Sequence, residues 1–156
     1  MLWTPHVTVA TVIHQDGRFL CVEEQTKADG SLVYNQPAGH VDPNETLIQA
    51  AIRETLEETA HQVNIDALLG IYTYTPRPEH TDTTETYYRF CFIASVVSHD
   101  PTLALDTGIE QALWLSLDEI RQSGKARSPL VIKCIEDFLM GKQLPLDAIF
   151  EHSWEQ

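Results

Sequence analysis

Positive charge is scarce in this chain of 156 residues, where ten Lys and Arg face 23 Asp and Glu and leave a formal net charge of −13 at pH 7. Nucleic-acid polymers and anionic membranes are held by clustered Lys and Arg, so neither is an expected partner. A small anion stays compatible if a metal ion neutralises it locally. No apolar run approaches the roughly 18 residues that a membrane-spanning helix needs. The opening "MLWTPHVTVATVIH" lacks the basic start and apolar run of a signal peptide and alternates like a strand, which makes the cytoplasm the expected compartment. Only three cysteines occur, Cys21, Cys91 and Cys134, all in apolar surroundings. They cannot all pair, and they read as core thiols in a reducing compartment. The seven histidines, His6, His14, His40, His61, His80, His99 and His152, show no H-x3-H spacing, which argues against zinc. His40 stands apart because it follows Gly39 beside the motif described below.

What the chain has is alternation of strand and helix signals. Its length suits one domain, residues 1–156, able to bury about two thirds of the surface that the unfolded chain exposes. "HVTVATVIH" and "RFLCVEE" are β-rich runs on either side of Asp16-Gly17, a pair suited to a tight hairpin turn. "LVYNQPAG" reads as a short strand entering a turn, and Pro43-Asn44 as helix-start chemistry before "ETLIQAAIRETLEET". "VNIDALLGIYTYT" and "TYYRFCFIASVV" have strand composition, with a polar Pro-containing loop between them. Ser116 is a candidate cap for a helical turn, where Asp118 and Glu119 favour the helix dipole. Ser128 caps a later helix with Pro129 at its first position, and the last fifteen residues read as a surface tail. The order strands, helix, strands, helix predicts an α/β domain.

One stretch carries chemistry: "GHVDPNETLIQAAIRETLEETA", residues 39–60. On an ideal helix Glu54, Glu57 and Glu58 fall within an arc of roughly 100°. The adjoining arc holds Leu47, Ile48, Ala51, Ile52 and Thr55, so the carboxylates border the buried stripe. Like charges gathered beside a core repel unless a cation joins them, and an all-oxygen ligand set selects a hard ion such as Mg²⁺ or Mn²⁺.

The spacing resembles the Nudix box, G-x5-E-x7-R-E-U-x-E-E-x-G-U with U aliphatic, and matches its Gly, its Arg and all four Glu. A chance match to six such identities in a chain of this length is on the order of 10⁻⁵, so coincidence is set aside. Three positions depart from it: Thr55 and His61 stand at aliphatic positions and Ala60 at a glycine. These concern the helix exit, where Ala60 in a left-handed turn would cost roughly 1 kcal/mol against Gly. The likeness extends to "PHVTVATVIHQDGRFLCVEE", "NQPAGH", "YYRFCFIA" and "RSPLV", covering most of residues 5–140, and is similar to the NudJ-type phosphatases within the Nudix superfamily. This resemblance implies an α/β/α sandwich with a mixed sheet flanked by helices. It implies metal ions on Glu54, Glu57 and Glu58, a further ligand from the Gly39 carbonyl, and an orienting pair formed by Glu45 and Arg53. It also implies hydrolysis of small nucleoside di- and triphosphates, and of the pyrophosphate of hydroxymethylpyrimidine.

Within that frame the expected reaction is attack of water on phosphorus, with Mg²⁺ (or Mn²⁺) clamping the phosphates and one carboxylate accepting the proton. Glu54 is the first candidate base, followed by Glu57 and by the loop acid Glu110, for whose role Asp106 competes. Among the cations, elimination leaves Lys27, Lys125, Arg77, Arg89 and Arg127; of these Arg89, in a strand rich in aromatics, is expected first and Arg127, beside a helix start, second as phosphate contacts, with a structural ion pair as the alternative. Tyr34 and Tyr74 are candidate stacking partners for a base. Two other readings of the chain are a nucleotide-binding module without turnover and a MutT-like sanitiser of oxidised nucleotides. Monomer and homodimer are both open.

Overall fold

A computed structural model describes residues 2–79 and 82–152, which leaves His80 and the end of the expected tail outside the described residues. β1 (Leu2–Gln15) and β2 (Arg18–Gln25) are joined at Asp16 and Gly17, with φ of 49° and 78°. Two successive positive φ values give the turn the twist of the strands it joins, as the Asp-Gly pair predicts. The hairpin is short-lived. Only His14 and Gln15 pair with β2, and from Ile13 back to Leu2 the strand runs parallel to β6 (Thr83–His99).

β3 (Leu32–Asn35) and β7 (Ile109–Leu115) pair antiparallel with β2. β4 (Ala38–His40) pairs antiparallel with β1, and β5 (His61–Tyr74) with β6. The main path is β3-β2-β1-β6-β5, a mixed sheet whose one parallel pair is β1 with β6.

Helices cover both faces, and the two-residue period of β1 divides its side chains between them. Val9 packs with Ala50 and Ala51 of α1 (Leu47–Thr59) and with Leu68 and Phe92. Ala10 and Val12 point the other way, into a core with Val131, Cys134 and Ile135 of α3 (Pro129–Leu139) and Ile120 of α2 (Leu117–Ser123). The two alanines bring α1 close to the sheet, and Phe92, fully buried, contributes about 1.5–3 kcal/mol through lost water contact. All three cysteines are buried and free, as expected, and burial pushes the Cys21 thiol up to about 12.

Caps at Ser116 and Ser128 form as read, each hydroxyl accepting a backbone N–H, with Pro129 opening α3. The start of α1 differs. Asn44 takes a left-handed turn (φ 64°), and the cap is Thr46, whose hydroxyl accepts from the Gln49 N–H while the Gln49 side chain accepts from the Thr46 N–H.

The tail lies on the surface as read, residues 142–152 being exposed or half-buried, and backbone groups of β5 and α1 tie it down. Leu144 exchanges both backbone hydrogen bonds with Leu68 on β5. Beyond it, Leu146 and Ile149 pack against the α1 core, and Glu151 accepts the Leu47 N–H at the helix start. Among the described residues no helix is long and apolar enough to cross a membrane.

Candidate active site

The departures at the exit of α1 leave its geometry intact. Thr55 is fully buried, its hydroxyl donating to the Ala51 carbonyl at 2.7 Å and meeting the Thr11 hydroxyl at 2.9 Å. Ala60 takes the left-handed conformation (φ 57°) of a helix-ending glycine, and its N–H donates to Leu56. His61 stacks on His99, with ring centres 4.0 Å apart, and its Nδ1 lies 2.7 Å from the Thr59 carbonyl. The helix therefore ends where the sequence pattern places its end, with its acidic face intact.

On that face Glu54 and Glu57 share a cluster with Asp106, the three carboxylates lying within 4.8 Å of one another. Asp106 reaches it from the loop before β7, anchored by its own N–H to the Glu57 carbonyl at 3.0 Å. Glu110 lies elsewhere: it is exposed and accepts from Gln25 at 2.7 Å. Sequence reasoning weighed both acids, and only the loop's return to α1 separates them.

Glu58 sits behind this cluster and is almost fully buried, accepting the Ala38 N–H at 2.8 Å. Burial pushes its carboxyl up to about 9, and the nearby carboxylates Glu24, Glu54 and Asp106 push in the same direction. Glu54 is raised too, first by burial, although Arg53 opposes the shift. Ionising all of these carboxylates together is costly, and a divalent cation removes the cost. Every candidate donor is an oxygen, so the residues fit a hard divalent ion.

Arg53 organises the face. Its Nε and Nη2 donate to Glu45 at 2.6 and 2.9 Å, and its Nη1 to Glu54 and Glu57 at 2.9 and 3.1 Å. Nη2 also donates to the His40 carbonyl at 3.0 Å. The hydrogen bond and charge of Arg53 hold the Glu45 carboxyl below its ordinary range. Gly39 packs against Glu54 so closely that a Cβ there would fall 2.1 Å from the Glu54 carboxyl carbon. A side chain at position 39 would therefore displace the Glu54 carboxylate from its place.

Arg89 is buried between Asn35 and Gln36, donating to their amide oxygens at 3.0 and 2.8 Å. It thus holds the segment leading into Ala38 and Gly39 and has little surface to offer a phosphate. Arg127 is less enclosed; its side chain is 41% exposed and pairs with Glu24 at 2.9 Å. Tyr34 lies alongside, its N–H bonded to the Lys125 carbonyl, with the Lys125 ammonium 5.5 Å from its ring centre. Tyr74 packs at the edge of the core beneath α3.

A mixed sheet between helices, with an acidic helix locked by one arginine against the strand that bears Gly39, defines the class. The chain belongs to the NUDIX domain family, whose model matches residues 4–133. It is 37% identical over 153 residues to Phosphatase NudJ of Escherichia coli K12, an alignment covering 98% of this chain and 95% of that protein. A solved NUDIX hydrolase from Nitrosomonas europaea is 48% identical, with a TM-score of 0.88 over 96% of this chain and 98% of the other. The MutT NUDIX hydrolase of Burkholderia pseudomallei shares the fold at 22% identity, with a TM-score of 0.71 over 86% of this chain and 98% of that one. The chain is accordingly a hydrolase of phosphoanhydride bonds in nucleotide-type substrates, and Nudix hydrolases generally use divalent metals.

Proposed function

We propose that the protein is a Mg²⁺-dependent phosphatase of small nucleoside di- and triphosphates, with Mn²⁺ as a substitute ion and the pyrophosphate of hydroxymethylpyrimidine as a further substrate. The whole chain, residues 1–156, would act as one domain. The observation that carries this reading is the set of carboxylates from Glu54, Glu57 and Asp106 within 4.8 Å of one another, with Glu58 buried behind them. The likeness to Phosphatase NudJ over nearly the full chain supports the choice of substrate class.

The ion would be held by Glu54, Glu57 and Glu58, helped by Asp106 and the Gly39 carbonyl, and would supply charge neutralisation at the phosphates. Glu54 is the preferred proton acceptor, being partly buried with a raised pKa; Glu57 follows, and Asp106 ranks ahead of Glu110 because of its place in the cluster. Arg53 bridges the Glu54 and Glu57 carboxylates through one Nη1 and so orients both. Arg127 is the preferred phosphate contact, since a small movement from Glu24 would free it, whereas Arg89 acts through Asn35 and Gln36. Nucleic-acid polymers are disfavoured as partners by the net charge of −13.

The test is a panel of nucleoside di- and triphosphates, nucleotide sugars and dinucleoside polyphosphates, assayed for phosphate with and without added pyrophosphatase. Simple nucleotides should lead and release phosphate directly. A tenfold preference for a nucleotide sugar or dinucleoside polyphosphate would overturn the substrate class while leaving the family intact.

A further inference from the structure

The strand that presents Gly39 to Glu54 presents its next side chain to the opposite face, because successive residues of a strand alternate. That side chain is His40, exposed, and its carbonyl is the one gripped by Arg53. Its imidazole Nε2 lies 2.9 Å from Nδ1 of His6 on the neighbouring strand β1, with ring centres 5.1 Å apart and edge to face. His6 in turn stacks flat on Tyr87 of β6, centres 4.4 Å apart and planes 8° from parallel. Three strands thus set three polar rings side by side, beginning one residue along β4 from Gly39.

Two features make this more than sheet packing. The aromatic side chains that belong to the core beneath α3, such as Phe19 and Tyr72, are buried, whereas His40 is open to solvent. In addition, Nε2 of His6 is the one buried side-chain polar atom among the described residues with no hydrogen-bond partner; its nearest counter-group is Glu85, at 3.6 Å. A polar atom of that kind is expensive unless something occupies it during function. The charges of Lys27 and Arg127 reach His40 and Tyr87 respectively, while Glu85 accepts from the Tyr87 hydroxyl at 3.4 Å and lies 3.6 Å from His6, so the rim carries both signs.

We propose that His40, backed by His6 and Tyr87, is the docking wall for the planar ring that a substrate carries beyond its phosphates, and that it sets a preference for heteroaromatic over alkyl diphosphates. Flat rings stack on imidazole and phenol with little regard to their identity, so this wall explains breadth across nucleobases and pyrimidines together. The inference rests on the phosphatase reading, and it names a different wall from Tyr34.

The experiment compares kcat/KM for ADP with that for an alkyl diphosphate in wild type and in His40→Ala, Tyr87→Leu, Tyr87→Phe and Tyr34→Leu. The ADP-to-alkyl ratio should fall about tenfold in His40→Ala and Tyr87→Leu, through KM with kcat kept, and Tyr87→Phe should restore it. An unchanged ratio in both, or a ratio moved by Tyr34→Leu instead, overturns the proposal. Equal losses on the two substrates also overturn it, since they would mean that the rings only brace the Gly39 strand. Calorimetric titration with adenosine methylenediphosphonate separates this inference from the activity. If wild type hydrolyses neither substrate, the phosphatase reading fails. The wall then stands if His40→Ala weakens binding of that analogue about tenfold, and falls if the affinities are equal.

Discussion

Two carboxylates of this protein are almost closed to solvent and live in opposite electrostatic surroundings. Glu58 on α1 is 7% exposed, and Asp137 on α3 is 5% exposed. Asp137 accepts from Lys133 at 2.8 Å and from the Tyr72 hydroxyl at 2.8 Å, with Lys142 at 3.5 Å. These partners, Lys133 first, hold its carboxyl below the ordinary range. Glu58 has one backbone N–H and carboxylates for neighbours, and its carboxyl is pushed up to about 9. The fold supplies one acid with cationic partners and leaves the other without any. A buried acid without such partners is the stronger candidate for a functional role.

The strongest way to test that contrast is to neutralise an acid on each side. Glu57→Gln should lower kcat/KM by about a hundredfold or more while far-UV circular dichroism and the melting temperature stay near wild type. Asp137→Asn should do the reverse, leaving kcat/KM within about twofold but removing charge-assisted hydrogen bonds worth about 2 kcal/mol. For a chain of this size that is a fall of roughly 4–8 °C in Tm, readable by calorimetry. A Glu57→Gln protein with full activity in chelator, or an Asp137→Asn protein as stable as wild type, would erase the distinction.

A subtler prediction concerns Glu58 in the absence of metal. In chelator at pH 8, Glu58→Gln should melt about 1–3 °C above wild type, because the wild-type carboxyl, ionised in the unfolded chain, must take up a proton to be buried whereas the amide need not. Saturating Mg²⁺ should raise Tm for wild type and do so far less for this variant. The smallest effect is a dependence on pH. The depressed pKa of Asp137 means that its contribution is complete above its unfolded value near 3.8 and is lost as pH falls through the still lower folded pKa. Acid titration of wild type should therefore show a steeper loss of stability in that window than Asp137→Asn shows, followed by thermal melts at constant ionic strength.

Much of this was legible in the sequence because it is local. The Asp16-Gly17 turn, the caps at Ser116 and Ser128, and the acidic arc of α1 depend on residues within a few positions of each other. The start of α1 was readable too, since Thr46 and Gln49 spell a capping box, but Pro43-Asn44 carries a competing helix-start signal three residues earlier. What stayed hidden is tertiary. Asp106 enters the cluster, and Glu110 does not, because a loop folds back so that one N–H meets the Glu57 carbonyl. Arg89 looked like a free cation in an aromatic strand, and its partners Asn35 and Gln36 lie more than fifty positions away. The ring wall of His6, His40 and Tyr87 depends on the register of three strands, which no local pattern encodes.

Glu151 accepts the N–H of Leu47 from 104 positions further along the chain. During synthesis α1 leaves the ribosome long before the residue that completes its first turn, so a nascent chain holds the catalytic helix with an unfinished end. Chain growth from the N-terminus thus makes full ordering of that helix one of the last events in the protein's assembly. A bulky fusion placed close behind Glu151 should be felt at the start of α1, about two turns or more before its acids.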